Sequence, residues 1–233
     1  MKYLIKILFA VIVFISINSC DKTEENPIDN LNTEAISAKW VTESAGEYIS
    51  LEFNESGHCI IVKNNNKTSN TYQDVLFGSY TIVDSETIVL HNYGKIKVSS
   101  IDESRINFSL VLDSNPEDEI IINAIRQNEI STSEKTKLLC KTWEVVSIGG
   151  ENTDDFVVLF SDAGTYFVTT PESSSLGYWK WCDSEQTKIA FTIDNTLDCS
   201  GIEIMTDVIL TVNSFVAIDH ENGDPVELVM KPI

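Results

Sequence analysis

The sequence predicts an all-β protein built from two tandem small antiparallel β-barrel modules. Three observations lead there. Strand-like runs of period two recur at regular spacing, helical periodicity is nearly absent, and one series of landmarks occurs twice in the same order. The first copy opens with Ile36-x-x-x-Trp40 and the second with Leu139-x-x-x-Trp143.

Thirteen residues after Trp40 comes Phe53-Asn54-Glu55-Ser56-Gly57, and seventeen after Trp143 comes Phe160-Ser161-Asp162-Ala163-Gly164. Each is an apolar strand running into a polar turn that closes on glycine, as a hairpin does. Next stand Gly78-Ser79-Tyr80 and Gly177-Tyr178-Trp179, then the short strands at 88–90 and 189–191. The segment from Ile101 to Ile106 matches that from Leu210 to Phe215 in spacing, and the copies close on the apolar runs at 119–122 and 227–230. A short helix is expected over 133–139, where Ser133 can cap an apolar turn that leads into Trp143.

Alternation assigns faces. Ile49, Leu51 and Phe53 share one face of their strand, with Ser50 and Glu52 on the wet side. The matching strand of the second copy sets Phe156, Val158 and Phe160 inside but also carries Val157 and Leu159 on its other face. An apolar outer face calls for a cover, either the first copy or the linker. The alternative is an exposed binding patch.

Residues 1–20, MKYLIKILFAVIVFISINSC, set Lys2 and Lys6 before an apolar run over 7–17 and end in Asn18-Ser19-Cys20. A basic start, a short apolar core and a small-residue end describe an export signal. The core is shorter than the ~20 apolar residues of a transmembrane helix. The closing cysteine resembles the lipobox of bacterial lipoproteins, which implies cleavage before Cys20 and lipid attachment to it. Losing the two lysines of residues 1–19 takes the net charge from −20 to −22. So acidic a chain repels nucleic acid and anionic headgroups, which excludes nucleic-acid partners and leaves the lipid as the membrane anchor. Asp21, Glu24 and Glu25, interrupted by Lys22, resemble the surface-export signal of Bacteroidetes lipoproteins. That resemblance implies an outer-membrane protein on the periplasmic or, by preference, the cell-surface face.

The module pattern resembles the lipocalin-like domains of Bacteroidetes lipoproteins, on the Leu/Ile-x-x-x-Trp start, the Phe-to-Gly hairpin, the Gly-x-Trp/Tyr strand and the closing apolar strand. Ala38 and Lys141 stand where the first strand of true lipocalins carries glycine. The expected organisation is a signal peptide at 1–19, a lipidated tether at 20–34, a first module at 35–125, a linker at 126–137 and a second module at 138–233.

Four cysteines remain after Cys20. Cys182 and Cys199 lie seventeen apart in one sheet region and are the preferred disulfide, with Cys59 and Cys140 either bridging the copies or left as free thiols. Tyr178, Trp179 and Trp181, with Tyr80 in the first copy, are the candidate ligand-facing aromatics. Core packing is the competing reading, because Trp179 and Trp181 align with Tyr80 and Ile82 on the inward face. Trp40 and Trp143 read as plugs at the barrel base. The Asp219–Asp224 run reads as a tight turn, with weak calcium binding as its alternative. No cofactor motif, metal spacing or catalytic constellation stands out. His58, His91 and His220 are far apart, and a Cys59–His58 dyad would need the electropositive surroundings that this chain lacks.

The chain therefore reads as a non-catalytic, lipid-anchored envelope protein that binds a small apolar or amphipathic ligand in a barrel or at the module junction. A structural or interaction subunit of an envelope complex and a carbohydrate-binding accessory lipoprotein are the alternatives.

Overall fold

A computed structural model describes residues 31–44, 46–64, 73–193, 196–221 and 223–233. The expected signal peptide, the expected lipidation site Cys20 and the expected tether up to residue 30 lie outside the described residues, as does Asn222. The chain forms two closed eight-stranded antiparallel barrels.

The first runs through β1 (Ala38–Thr42), β2 (Tyr48–Phe53), β3 (His58–Asn64), β4 (Gln73–Ile82), β5 (Thr87–Leu90), β6 (Gly94–Ile101), β7 (Arg105–Leu112) and β8 (Asn115–Arg126), each strand beside the next. It closes where Trp40, Val41 and Thr42 of β1 pair with β8. The second runs through β9 (Thr142–Ile148), β11 (Val157–Phe160), β12 (Thr165–Thr169), β13 (Ser174–Trp181), β14 (Ile189–Thr192), β15 (Ile204–Leu210), β16 (Phe215–Asp219) and β17 (Val226–Pro232). It closes through β17 on β9, and the two-residue β10 (Glu151–Asn152) hangs from β9 as an added hairpin. Closure pairs the end strands of each barrel, β1 with β8 and β9 with β17, which removes the aggregation-prone edges of an open sheet.

The duplicated landmarks are duplicated geometry. A short helix precedes each barrel: α1 (Thr33–Ile36), capped by the Asn32 side chain, and α2 (Glu134–Leu139), capped by Ser133. The Trp40 indole N–H donates to Ile36 O at 2.9 Å, and that of Trp143 to Leu139 O at 2.8 Å. The four-residue spacing thus lets a fully buried indole find an acceptor among the helix-end carbonyls. In each hairpin the glycine (Gly57, φ 81°; Gly164, φ 79°) adopts the left-handed backbone that other residues resist. Its carbonyl accepts from Tyr80 N (2.8 Å) or Trp179 N (2.9 Å).

Inward side chains fill both barrels. The first core holds Trp40, Leu51, Phe53, Ile61, Ile96, Phe108 and Leu110, and the second Trp143, Val158, Phe160, Trp179, Phe191, Phe215 and Met230. An eight-stranded barrel has an interior just wide enough for such a filling. At the end of the first barrel away from α1, the Tyr48 and Tyr93 hydroxyls meet at 3.1 Å beside the Lys63–Glu47 ion pair.

A third apolar cluster joins the barrels. Ile60 and Val62 on the outside of β3 pack against Leu159 and Phe167 on the outside of β11 and β12, with Ile49, Val75, Phe77 and Leu176 around them. The apolar outer face expected around Leu159 is therefore covered by the first copy, while Val157 is only half-buried. The cover also corrects the wet face expected on β2: Ser50 and Glu52 are buried, and Glu52 is only 5% exposed. Ile49 is corrected too. A register shift between Tyr48 and Ser50 turns Tyr48 inward and leaves Ile49 to the interface.

Two boundaries differ from expectation. Leu31 packs in the first core and α1 starts at Thr33, so ordered structure reaches back into the segment expected to be tether. The linker is strapped down, with Ile130 N donating to Asp162 O (2.7 Å) and Gln127 Nε2 to Ala163 O (2.9 Å). Cys182 and Cys199 form a disulfide with Cα atoms 5.5 Å apart. It pins the β14–β15 excursion, whose Leu197 and Cys199 carbonyls accept from Lys180 and Lys188. Cys59 and Cys140 are free thiols. Cys59 points into the first core and Cys140 caps α2 outside it, so the barrel wall separates them.

Candidate functional site at the barrel junction

The four aromatics considered as ligand-facing do not share one surface. Trp179 is buried in the second core and its indole donates to Ser161 O (2.8 Å), while the Tyr80 hydroxyl donates to the equivalent carbonyl, Asn54 O (2.8 Å). The half-buried Trp181 donates to Thr136 Oγ1 on α2 (2.9 Å). These three spend their polar atoms inside the fold. Tyr178 alone faces outward, 37% exposed, with Lys39 Nζ 5.9 Å from its ring centre. It borders a shallow groove of about 250 Å³ with Ile130 and Leu197.

The histidines are likewise accounted for. His58 faces outward and Cys59 inward on β3, so successive-residue alternation holds a dyad apart. Burial pushes the Cys59 thiol up to about 12, far from thiolate chemistry. His91 spends both ring nitrogens on Ser79 Oγ (2.9 Å) and Thr81 Oγ1 (3.0 Å), which leaves none for an orienting carboxylate. His220 meets Thr206 Oγ1 at 3.0 Å. Among the described residues no three His, Cys, Asp or Glu side chains are placed to hold a metal ion.

The barrels themselves meet with exchanged roles. Thr142 on β9 contacts His58 on β3 (3.3 Å), and Lys39 on β1 contacts Thr165 on β12 (3.0 Å). In the landmark alignment Lys39 corresponds to Thr142 and His58 to Thr165. Residue i meets j and j meets i, the signature of a two-fold interface, here between two halves of one chain. His58 stacks on Phe77 (5.4 Å) and Phe77 on Phe167 (5.0 Å), which carries aromatic contact across the junction. Thr165 Oγ1 also donates to Glu52 Oε2 (2.7 Å), whereas Glu52 Oε1 is buried with no hydrogen-bond partner among the described residues.

A cleft of about 440 Å³ opens on this pseudo-dyad. Its walls come in equivalent pairs: the helix C-caps Ser37 and Cys140, the aromatic strand ends Phe53 and Phe160, and the turn residues Asn54 with Ser161 and Glu55 with Asp162. Glu34 of α1 corresponds to Lys137 of α2, and Arg126, Glu129, Ser131 and Thr136 have no counterpart in the lining. No candidate read from the sequence lies in this cleft except the free thiol of Cys140. The signal that could have found it is the duplication itself, since equivalent hairpin turns are brought together wherever two copies pack about a dyad.

The cleft is electrostatically unbalanced. Burial raises the Asp162 carboxyl to about 6, and Glu129 and Glu52 add repulsion that Arg126 offsets only in part. Burial, Asp162, Glu52 and Glu129 likewise push the Cys140 thiol up. Glu34 and Glu55 complete the acidic side, with Arg126 and Lys137 as the basic groups. A carboxyl raised in the folded state contributes stability below its unfolded value near 4 and loses it as pH rises through about 6. At pH 7.5 the ionised Asp162 is therefore a cost. Asp162→Asn is expected to raise stability by about 1–2 kcal/mol at pH 7.5, a value reduced for the group's partial exposure. The gain should fade as pH falls toward 4, and denaturant midpoints of the two proteins at both pH values check it.

No family model matches the chain, and no curated protein is similar to it in sequence.

Proposed function

We propose that this protein is a non-catalytic, lipid-anchored component of the outer membrane that binds a small amphipathic ligand in the cleft between its barrels. One observation carries the reading. Room for a ligand of drug-like size lies at the pseudo-dyad between paired helix ends and polar and charged turns, while aromatic and aliphatic side chains fill both barrels. The barrels then act as rigid holders of the turns that line the cleft. Lipid on Cys20 ties the assembly to the membrane through the tether, on the periplasmic or cell-surface face.

A second reading, an interaction subunit of an envelope complex, is favoured by exposed Ile202, Ile209 and Val212 on the second barrel. Mass spectrometry of the protein purified from its native host separates the two. The expected native mass carries a discrete excess that denaturation removes. The acyl chains on Cys20 persist through denaturation because they are covalent. A native mass equal to the denatured mass transfers the weight to the interaction subunit.

A further inference from the structure

We propose that residues 196–203 form a strap over the outer wall of the second barrel, locked by the Cys182–Cys199 disulfide and freed when a dithiol reduces it. Its release opens the groove beside Tyr178 while both barrels stay folded.

Three tethers fasten the strap to β13, β14 and their ends. Lys180 Nζ donates to Leu197 O at 3.0 Å, Lys188 Nζ donates to Cys199 O, and Cys182 is bonded to Cys199. Lys180 shares the outward face of β13 with Tyr178, and the two pair with Ala190 and Thr192 of β14. Outward residues of a barrel wall ordinarily meet solvent, yet Ala190 and Thr192 are buried. In the first copy the same wall is open. Thr81, the counterpart of Lys180, is exposed, and its partner Val89 is only half-buried.

The module folds without this device. β5 reaches β6 through residues 91–93 alone, whereas β14 reaches β15 through residues 193–203. None of residues 196–203 belongs to the second core. Their contribution lies at the surface, where Leu197 forms one bank of the groove of about 250 Å³ that Tyr178 borders. Cys182 and Cys199 are both half-buried, so a thiol can reach the bond, and exposed disulfides are the more readily reduced. An oxidising compartment keeps the strap locked. In exchange through a mixed disulfide, a dithiol gives two electrons and its two protons to the Cys182–Cys199 bond. Two cysteine thiols result, and the dithiol becomes a disulfide. The two lysine bonds that remain compete with water, and they hold a loop that adds nothing to the cores.

Hydrogen–deuterium exchange of the purified full chain in phosphatidylcholine nanodiscs, before and after dithiothreitol, tests this. Iodoacetamide caps the freed thiols, and the mass added at Cys182 and Cys199 verifies reduction. Peptides covering 196–203 are expected to exchange at least about tenfold faster after reduction, while those of β9, β12 and β16 keep their rates. The Cys182→Ala, Cys199→Ala double variant, which needs no capping, should show the same pattern. In that variant Tyr178 should also be acetylated faster by N-acetylimidazole, read by peptide mass spectrometry. Protection of 196–203 that survives loss of the disulfide overturns the release, because the lysine bonds would then suffice. Faster exchange throughout β9–β17 makes the bond a staple of the whole barrel and overturns it equally. A disulfide that resists dithiothreitol in the folded protein does the same. Unchanged Tyr178 acetylation beside a freed strap overturns the opening of the groove.

Discussion

Gly177→Ala is expected to disrupt the second barrel, whereas Gly78→Ala should be nearly silent, although the two glycines hold equivalent places in the repeat. A Cβ on Gly177 would sit 2.0 Å from Thr192 O, 2.8 Å from its carbonyl carbon and 2.9 Å from Ile193 Cα, all backbone atoms. That backbone is the end of β14, which pairs Thr192 with Tyr178. It has no flexible tip to swing aside. At Gly78 the nearest atom is a Leu76 methyl at 3.8 Å, an ordinary contact. Overpacking against rigid backbone lies at the upper end of small-to-large costs, so a loss of at least about 3 kcal/mol is expected for Gly177→Ala. For Gly78→Ala the change should stay within about 1 kcal/mol, because alanine restricts the unfolded chain and meets no clash. Urea denaturation followed by far-UV circular dichroism compares the two variants directly. Equal losses would show that β14 does not cross the Gly177 position as closely as this.

Trp143→Ala should be as damaging by a different route. The indole is fully buried among Phe215, Phe160 and the closing strands, with Phe215 at 5.9 Å between ring centres. Truncation of such a residue costs about 3–5 kcal/mol in transfer and cavity terms. It also removes one of the two donors to Leu139 O, which keeps the Lys141 N–H at 2.8 Å, at roughly 0.5–1.5 kcal/mol. Trp143→Phe separates the contributions, since it keeps most of the packing and loses only the donor. Its expected cost is therefore less than half that of alanine. Trp40, with its own 2.9 Å bond to Ile36 O, should give the same pair of results in the first barrel. Denaturant midpoints for the four variants are the measurement. If Trp143→Phe were as destabilising as Trp143→Ala, the carbonyl bond rather than the packing would dominate the plug.

The Asp162→Asn expectation has the opposite sign, and the contrast is informative. Substitutions at the plug and at Gly177 strike groups whose environments suit them. Asp162 sits in an environment that penalises its charge, as functional positions often do. A gain at pH 7.5 that fades toward pH 4 would show that the penalty falls on the Asp162 charge itself.

What could be read in advance followed the range of each signal. The Trp plugs, the glycine-closed hairpins, the short strands at 88–90 and 189–191 and the Ser133 cap all depend on residues within a few positions of one another. Helix α1 escaped notice because four residues carry no periodicity, although Asn32 is a good cap. The Ser50–Glu52 face of β2 looked wet because alternation reports which residues share a face and not what lies beyond it. The outer face around Leu159 did announce a need for cover, because apolar side chains on both sides of a strand leave it no solvent face.

The amino-acid order by itself determined two modules of one kind, their strand order and hairpins, and the side chains that plug them, because these follow from local periodicity and turn chemistry. Only the tertiary structure decided that the modules pack about a pseudo-dyad through β3 and β12. From that packing came the burial of Glu52 and the gathering of Glu55 and Asp162 at one cleft. Such pairings join residues about a hundred positions apart, and they arise from the fit of two finished surfaces rather than from any pattern along the chain.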